Sequence, residues 1–225
     1  KMQDLTLIIP AKYESESLPI FLDEIKEFKC KKLVVLQEDD KITINSIKKF
    51  DNIEILYQKE LGYGAALIEG INYASTKFFC IINADGSMNP SELEEMLLRV
   101  TVNKLDFIFA SRYEFPGGGS DDDNFITSVG NFFFTKIGNI FFSLKITDIL
   151  FTYVLGNTKS FNDLMLTSKD FTLCVEFPIQ LKRKNYQYST IPSFERSRIG
   201  GKKKVNAFKD GLLILIKMIK MFFIR

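Results

Sequence analysis

Phe78-Phe79-Cys80-Ile81-Ile82-Asn83-Ala84-Asp85-Gly86-Ser87-Met88-Asn89-Pro90 is the stretch whose reading decides the fold. Residues 78–82 form an unbroken apolar run of strand length, and residues 83–87 carry turn chemistry. Asn89 then offers an N-cap and Pro90 a first-turn proline for a helix. Buried strand, turn and helix in that order belong to an open α/β sheet, where ligands bind beyond the carboxyl ends of the strands. Asn83, Asp85 and Ser87 fall at that place. Their short oxygen-bearing side chains suit a hard divalent cation that also holds a diphosphate. The same residues equally suit a turn with no ligand, because Asn, Asp and Gly favour turns for conformational reasons.

The same alternation extends in both directions. Residues 5–9 read as a strand stopped by Pro10, and residues 18–28 as a helix with Leu18, Phe21, Leu22, Ile25 and Phe28 inward. Residues 33–36 and 53–57 read as strands, with helices over 42–50 and 64–74, and a fifth strand is expected at 107–110. Strands separated by helices of this length predict an α/β fold with a Rossmann-like, mostly parallel sheet, right-handed crossovers and helices on both faces.

A chain of 225 residues can bury one sizeable core, so one domain with a C-terminal appendage is expected. Its net charge of +2 is too near neutral to nominate nucleic acid as a partner. Histidine is absent, which excludes histidine bases, Ser-His-Asp triads and histidine-ligated zinc. Cys30, Cys80 and Cys174 lie far apart with no Cys-x-x-Cys spacing, as for buried thiols in a reducing compartment. No leader-like segment precedes the first strand and no apolar run reaches spanning length. A cytoplasmic place, or the cytoplasmic face of a membrane, is the resulting expectation.

Three turns leave the same sheet edge as Asp85. In the first, which follows Pro10, Glu14 can accept hydrogen bonds from a base or ribose, or is a solvated acid. The second, Gln37-Glu38-Asp39-Asp40, is either a ligand-facing acidic turn or simply the start of a helix. In the third, Lys59 precedes Gly62-Tyr63-Gly64-Ala65, whose glycines let backbone N–H groups approach an anion at a helix start, or make a plain tight turn.

Taken together, the motifs resemble those of the family 2 glycosyltransferases, in the branch of dolichol- or polyprenyl-phosphate sugar synthases. The matching pieces are Ile9-Pro10-Ala11 with Glu14; Gly62-Tyr63-Gly64-Ala65-Ala66-Leu67 with Gly70; Asn83-Ala84-Asp85-Gly86-Ser87 with Pro90; and Ser111-Arg112-Tyr113 before Pro116-Gly117-Gly118-Gly119-Ser120. Thr147-Asp148, Ile191-Pro192-Ser193-Phe194-Glu195-Arg196 with Arg198, and Asp210-Gly211 complete the series. The resemblance implies an A-type glycosyltransferase fold over residues 1–211. Residues 1–112 would be the nucleotide-sugar half, 113–211 the acceptor half, and 212–225 an amphipathic helix. It further implies that Pro10, Glu14, Glu38, Lys59, Gly62, Gly64, Ala65, Asn83 and Asp85 line the nucleotide-sugar site. Asp85, with Asn83 and Ser87, would hold a divalent cation, Mn or Mg. Asp85, Arg112, Asp148 and Arg198 would serve the reacting centre.

Two residues depart from the family pattern. Asn83 stands where the family usually has an acid, and Cys174 also replaces an expected acid, with Glu176 nearby. An amide coordinates only through a neutral oxygen, so the departure at 83 favours weaker metal binding that a bound diphosphate would compensate. Asp148 is open to two readings, a base for an alcohol acceptor or a structural cap; an ionised polyprenyl phosphate would need no base. Residues 193–204 bring Arg196, Arg198 and three lysines, suited to charge on a departing nucleoside diphosphate.

The polar loop at 114–124 reads either as a linker or as a substrate gate. The aromatic stripe from Phe125 to Leu144 reads as core or as an amphipathic membrane-facing helix. Residues 149–155 are expected to return to the sheet as a strand. From Leu212 onward, apolar residues interrupted by Lys217 and Lys220 suit an interfacial helix or one packed on a partner, and a homo-oligomer is an open option. The expected activity is inverting transfer of a sugar from a UDP- or GDP-linked donor to a lipid-phosphate or saccharide acceptor. The rival is a non-catalytic nucleotide-sugar-binding protein or partner subunit, for which Asn83 speaks.

Overall fold

The computed structural model describes residues 2–201 and 204–224. After a 3-10 turn at Met2–Asp4 the elements are β1 (Leu5–Pro10), α1 (Leu18–Glu24), β2 (Lys31–Leu36), α2 (Lys41–Ile47), β3 (Glu54–Tyr57), α3 (Tyr63–Tyr73) and β4 (Phe78–Ile81). Then come α4 (Leu93–Val102), β5 (Phe107–Ser111), β6 (Gly119–Ser120), α5 (Phe125–Phe142), β7 (Val154–Asn157) and α6 (Thr158–Asp163). The last are α7 (Leu173–Arg183), β8 (Tyr188–Pro192), β9 (Phe194–Glu195) and α8 (Ala207–Phe223).

A seven-stranded sheet runs β3-β2-β1-β4-β7-β5-β8, with a separate β6-β9 ribbon. The period-2 pattern drives both faces inward: Leu5, Leu7 and Ile9 enter the core under α1, α2 and α4, whereas Ile8 enters the core under α3, α6 and α7. The strands therefore read as continuous apolar runs. Asn89 caps as expected, its Oδ1 accepting the Ser91 N–H at 3.1 Å, but Pro90–Glu92 is a 3-10 turn before α4 begins.

The structure departs from the sequence expectation at two places. α1 ends at Glu24, and tight turns carry the chain on to Phe28 while Ile25 stays inward. The predicted strand over 149–155 shrinks to β7, which lies antiparallel between β4 and β5. Gly156 explains why it fits there, since a Cβ would lie 2.2 Å from the Phe107 ring. β7 joins the sheet as expected, and with β8 it gives residues 1–112 and 113–211 one sheet in common. α8 forms where a C-terminal helix is expected, and its Ile214, Met218 and Met221 pack with Phe134 of α5 and Val175 and Ile179 of α7 in a third core.

Candidate active site

The sheet delivers the turn after β4 to its carboxyl edge, extended by the Ile82 N–H bonding Ile8 O at 3.0 Å. Asp85 closes that turn on itself: its Oδ1 accepts the Ser87 N–H at 3.1 Å and the Ser87 hydroxyl at 2.9 Å. Its Oδ2 faces Arg198 Nη1 at 3.7 Å. Residues 196–199 lie directly on the turn, with the Ile199 N–H on Asp85 O and the Arg196 N–H on Ser87 O, both at 2.8 Å. The Arg196 guanidinium binds Gly86 O at 2.7 Å and Glu24 at 2.6 Å, joining α1 to the same assembly. Gly86 is required here: its φ is +75° and a Cβ would meet the Ile199 side chain at 2.4 Å.

Arg198 is held by Asp122 in a fork, Nε to Oδ1 at 3.1 Å and Nη2 to Oδ2 at 2.7 Å. Those bonds and the negative charges of Asp122, Asp85 and Glu14 raise its pKa, so it is a permanent cation beside Asp85. The loop at 114–124 is thus packed, contributing Asp122 and the β6 strand that pairs β9; it is not a bare linker.

Arg112 and Asp148 meet one another. Asp148 accepts the Arg112 backbone N–H at 3.0 Å, Nε at 2.7 Å and Nη2 at 2.9 Å, and its side chain is wholly buried. Glu195 takes Nη1 at 3.0 Å, and the guanidinium lies 4.7 Å from the Phe151 ring centroid. Burial alone would lower the Arg112 pKa, but Asp148 and Glu195 more than reverse it and hold the group firmly charged. Both Asp148 oxygens are engaged by Arg112 and the side chain is wholly buried, so its geometry fits the brace of the two sequence readings better than the base.

The remaining nominated residues divide. Pro10 ends β1 at the correct edge, and Glu38 is exposed beyond β2, where a ligand could reach it. The neighbouring Asp40 is a helix cap instead, accepting from Thr43 N at 3.3 Å and from Tyr13 N at 2.7 Å. Glu14 is buried, accepting from the Ser17 hydroxyl at 2.7 Å and paired with Lys204, so its carboxylate faces protein in this arrangement. Lys59 is exposed, with its backbone N–H on Glu69 at 2.7 Å. Of the lysines expected near this loop, Lys202 and Lys203 lie outside the described residues.

The Gly62 turn brings a correction. Its glycines do permit a close approach, but to protein: a Cβ on Gly62 would sit 2.1 Å from Lys169 O, and one on Gly64 2.3 Å from Ser168 O. The Ala65 N–H is also spent on Lys169 O at 3.0 Å, so this helix start is not an open anion cradle. Between the glycines, Tyr63 stacks on Phe171 at 4.9 Å, shares a 2.6 Å hydrogen bond with Thr152 and donates to Asn83 Oδ1 at 3.2 Å. Burial pushes the Tyr63 phenol well up, which keeps it a neutral donor. Sequence reasoning quoted Tyr63 but weighed only the glycines around it; it missed Asp122 and the Glu24 partner of Arg196 because these pairings span distant segments.

Glu176 supports this turn from behind. It accepts the Thr167 N–H at 3.2 Å and the Ser168 N–H at 2.7 Å, and Lys217 of α8 lies 3.1 Å away. Cys174, on the same helix, is a thiol pushed up to about 12, chiefly by burial.

Among the described residues no cluster of three or more Cys, Asp or Glu could hold a metal unaided. The donor set is one carboxylate oxygen, Asp85 Oδ2, with Ser87 committed to Oδ1 and the Asn83 oxygen turned to Tyr63. This fits a magnesium-like cation that uses one or two protein carboxylates and draws its other ligands from substrate phosphates.

A family model described as Glycosyl transferase family 2 matches residues 6–165. Among solved structures the chain resembles glucosyl-3-phosphoglycerate synthase from Mycobacterium tuberculosis in complex with UDP, at 11% identity and a TM-score of 0.70, over 98% of this chain and 80% of that one. The same enzyme in complex with Mn2+, UDP and glucosyl-3-phosphoglycerate matches at 9% identity and a TM-score of 0.70, with the same coverage. Mannosyl-3-phosphoglycerate synthase from Rubrobacter xylanophilus matches at 14% identity and a TM-score of 0.66, over 96% of this chain and 72% of that one. At such identities the likeness is one of fold, and it agrees with the expected A-type architecture.

Proposed function

The chain belongs to glycosyl transferase family 2, and on that premise we propose that it moves a hexose from a nucleoside diphosphate sugar to a phosphate-bearing acceptor, with inversion and a divalent cation. The observation that carries this reading is Asp85 Oδ2, presented at the carboxyl edge of the sheet with the cationic Arg198 3.7 Å away. A uridine diphosphate donor and Mn are favoured over the alternatives, because solved structures sharing this fold hold UDP and Mn2+.

A cation held by Asp85 would supply neutralisation of the diphosphate charge. Arg198 and Arg196 add fixed positive charge on the opposite wall, where charge grows on the departing nucleoside diphosphate as its bond to the sugar C1 breaks. Residues 196–199 bond the Asp85 and Ser87 carbonyls, and on this reading the segment lifts to admit the donor and closes again over the diphosphate. With its oxygen accepting from Tyr63, Asn83 keeps its amide N–H groups available as hydrogen-bond donors to the donor substrate.

The acceptor oxygen forms the new bond to C1. With Asp148 and Glu195 both committed to Arg112, and Asp122 to Arg198, an acceptor that is already ionised suits the site better than an alcohol needing a base. A phosphate monoester meets that requirement. Motif resemblance favours a polyprenyl phosphate, whose phosphate oxygen is itself the attacking group; the fold relatives favour a small phosphorylated acid such as the phosphoglyceric acid in one of their complexes, whose free hydroxyl would need a base. A lipid-borne phosphate further implies peripheral contact with a bilayer through α8, and residues 113–211 would provide the acceptor half.

Calorimetric titration of UDP, GDP and their glucose and mannose conjugates, with and without manganese, tests the donor site. Binding of one nucleotide strengthened by manganese supports transfer, and radiolabelled donor then tests polyprenyl phosphate against phosphoglycerate. Metal-indifferent binding without transfer to either would favour the non-catalytic binding protein, the reading that Asn83 supports. No binding of any nucleotide would remove the donor site altogether.

A further inference from the structure

α5 and α8 pack side by side, yet each is apolar on the face turned away from the core. On α5 the inward residues are Asn131, Phe134, Thr135 and Gly138, while Phe125, Phe132 and Ile140 point outward. On α8 the inward set is Ile214, Met218 and Met221, and the stripe opposite is Phe208, Leu212, Ile216, Ile219 and Phe223, recurring at helical spacing. Exposure is large, reaching 83% at Phe125, 82% at Phe208 and 78% at Phe223. Phe141 and Phe222, with ring centroids 5.5 Å apart, join the two stripes into one surface. Among the described residues nothing covers these outer stripes, and an apolar surface of this kind marks a contact site.

Charge decides what the surface fits. The only charged residue of α5 is Lys136, and α8 carries Lys209, Asp210, Lys217 and Lys220. Asp210 is half-buried and accepts the Asn206 N–H at 2.6 Å, and Lys217 is paired with Glu176, so the exposed charges on the two helices are Lys136, Lys209 and Lys220. All are positive. A second copy packed here would bring like charges together, whereas anionic headgroups would neutralise them while the aromatic side chains enter the acyl boundary. The far end of α8 is prepared as well, because Arg183 caps the Met221 carbonyl and that of Ile224, the latter at 3.1 Å.

We propose that α5 and α8 together form an in-plane docking face for an anionic lipid surface. Among the described residues no helix is long and apolar enough to cross a membrane, and helices of about 26 Å lying flat match this arrangement. Both helices begin at the rim of the candidate site: α5 follows Asp122 and Asp123, and α8 follows the segment bearing Arg196 and Arg198. Docking therefore sets the cleft mouth against the headgroup layer, where a lipid phosphate would be offered. This deepens the peripheral contact proposed for α8, but it stands on the two helices alone and its test needs no activity.

The test is flotation with vesicles of phosphatidylcholine alone and of phosphatidylcholine mixed with phosphatidylglycerol, using the chain, Phe132→Glu, Leu212→Glu and the triple variant Lys136→Glu/Lys209→Glu/Lys220→Glu. Thermal melts confirm that each variant is folded. Expected is flotation with the anionic vesicles, weakened about tenfold or more by either single glutamate and by the triple reversal. The triple variant separates a lipid surface from general stickiness, because it leaves every apolar residue in place. Absence of flotation with either vesicle overturns the proposal. So does a dimer in sedimentation that the single glutamates dissolve, which would assign the face to a second copy.

Discussion

Replacing Asp148 by Asn separates a base from a brace. The carboxylate is fully buried and receives three bonds from Arg112. An amide keeps one acceptor oxygen but turns an NH2 towards the guanidinium, leaving a buried cation short of a counter-charge. Breaking a buried pair costs about 3–5 kcal/mol, and because Glu195 at 3.0 Å still holds Nη1, the lower half of that range, about 3–4 kcal/mol, is expected. For a chain of this length that corresponds to a fall in Tm of roughly 5–15 °C. Urea unfolding and a calorimetric scan measure both, with Arg112→Met/Asp148→Leu as a companion that removes both charges and should be less damaging than the single change. If Asp148→Asn keeps the wild-type midpoint and only abolishes transfer, the brace argument is wrong and Asp148 is acting on the acceptor.

Asp85→Asn should erase the gain in nucleotide affinity given by manganese, a loss of about tenfold or more, with little effect on metal-free stability; calorimetry with and without a chelator reads it. Gly62→Ala should cost at least about 3 kcal/mol in urea unfolding, since its φ is +119° and the new Cβ would lie 2.1 Å from Lys169 O. An unchanged midpoint would mean the 168–170 loop does not press on this turn. Burial tends to raise the Glu176 pKa, but the bonds from Ser168 and Lys217 outweigh it and hold the group below its ordinary 4.5. Its contribution to stability is therefore complete above that pH and is lost as pH falls through the lower folded value. The stability difference between wild type and Glu176→Gln should be flat above about pH 4.5 and shrink below it. A difference that grows on acidification would reverse the sign of the argument.

Local pattern reaches some of these features and not others. The apolar runs at β1, β2, β4 and β5, the Asn89 cap and the glycines at 62 and 64 are all legible, because each depends on neighbours a few residues away. β7 is not legible as an antiparallel insertion: Val154 and Leu155 are apolar in either direction, and only the fit of Gly156 beneath Phe107 shows where the strand lies. The aromatic stripe of α5 is visible in the sequence, but whether it faces core or solvent depends on α8, which arrives far later in the chain. At Gly62 the sequence shows that a close approach is needed but not to what, since close approach to a ligand and close approach to Lys169 O impose the same demand on the residue.

The site itself follows a charge balance that no single motif displays. With Asn at 83, the turn carries one negative charge, on Asp85, and the cation facing it is Arg198, anchored by Asp122. Tyr63 occupies the Asn83 oxygen, so the amide is not left searching for a partner and the turn is complete without metal. Charge at this edge is therefore already satisfied within the protein. A divalent ion added alone would create an excess of positive charge beside Arg198 and Arg196, whereas an ion arriving with a diphosphate brings the anions that balance it. On this reasoning the substitution at 83 does not remove the metal from the chemistry; it makes metal and nucleotide binding depend on one another.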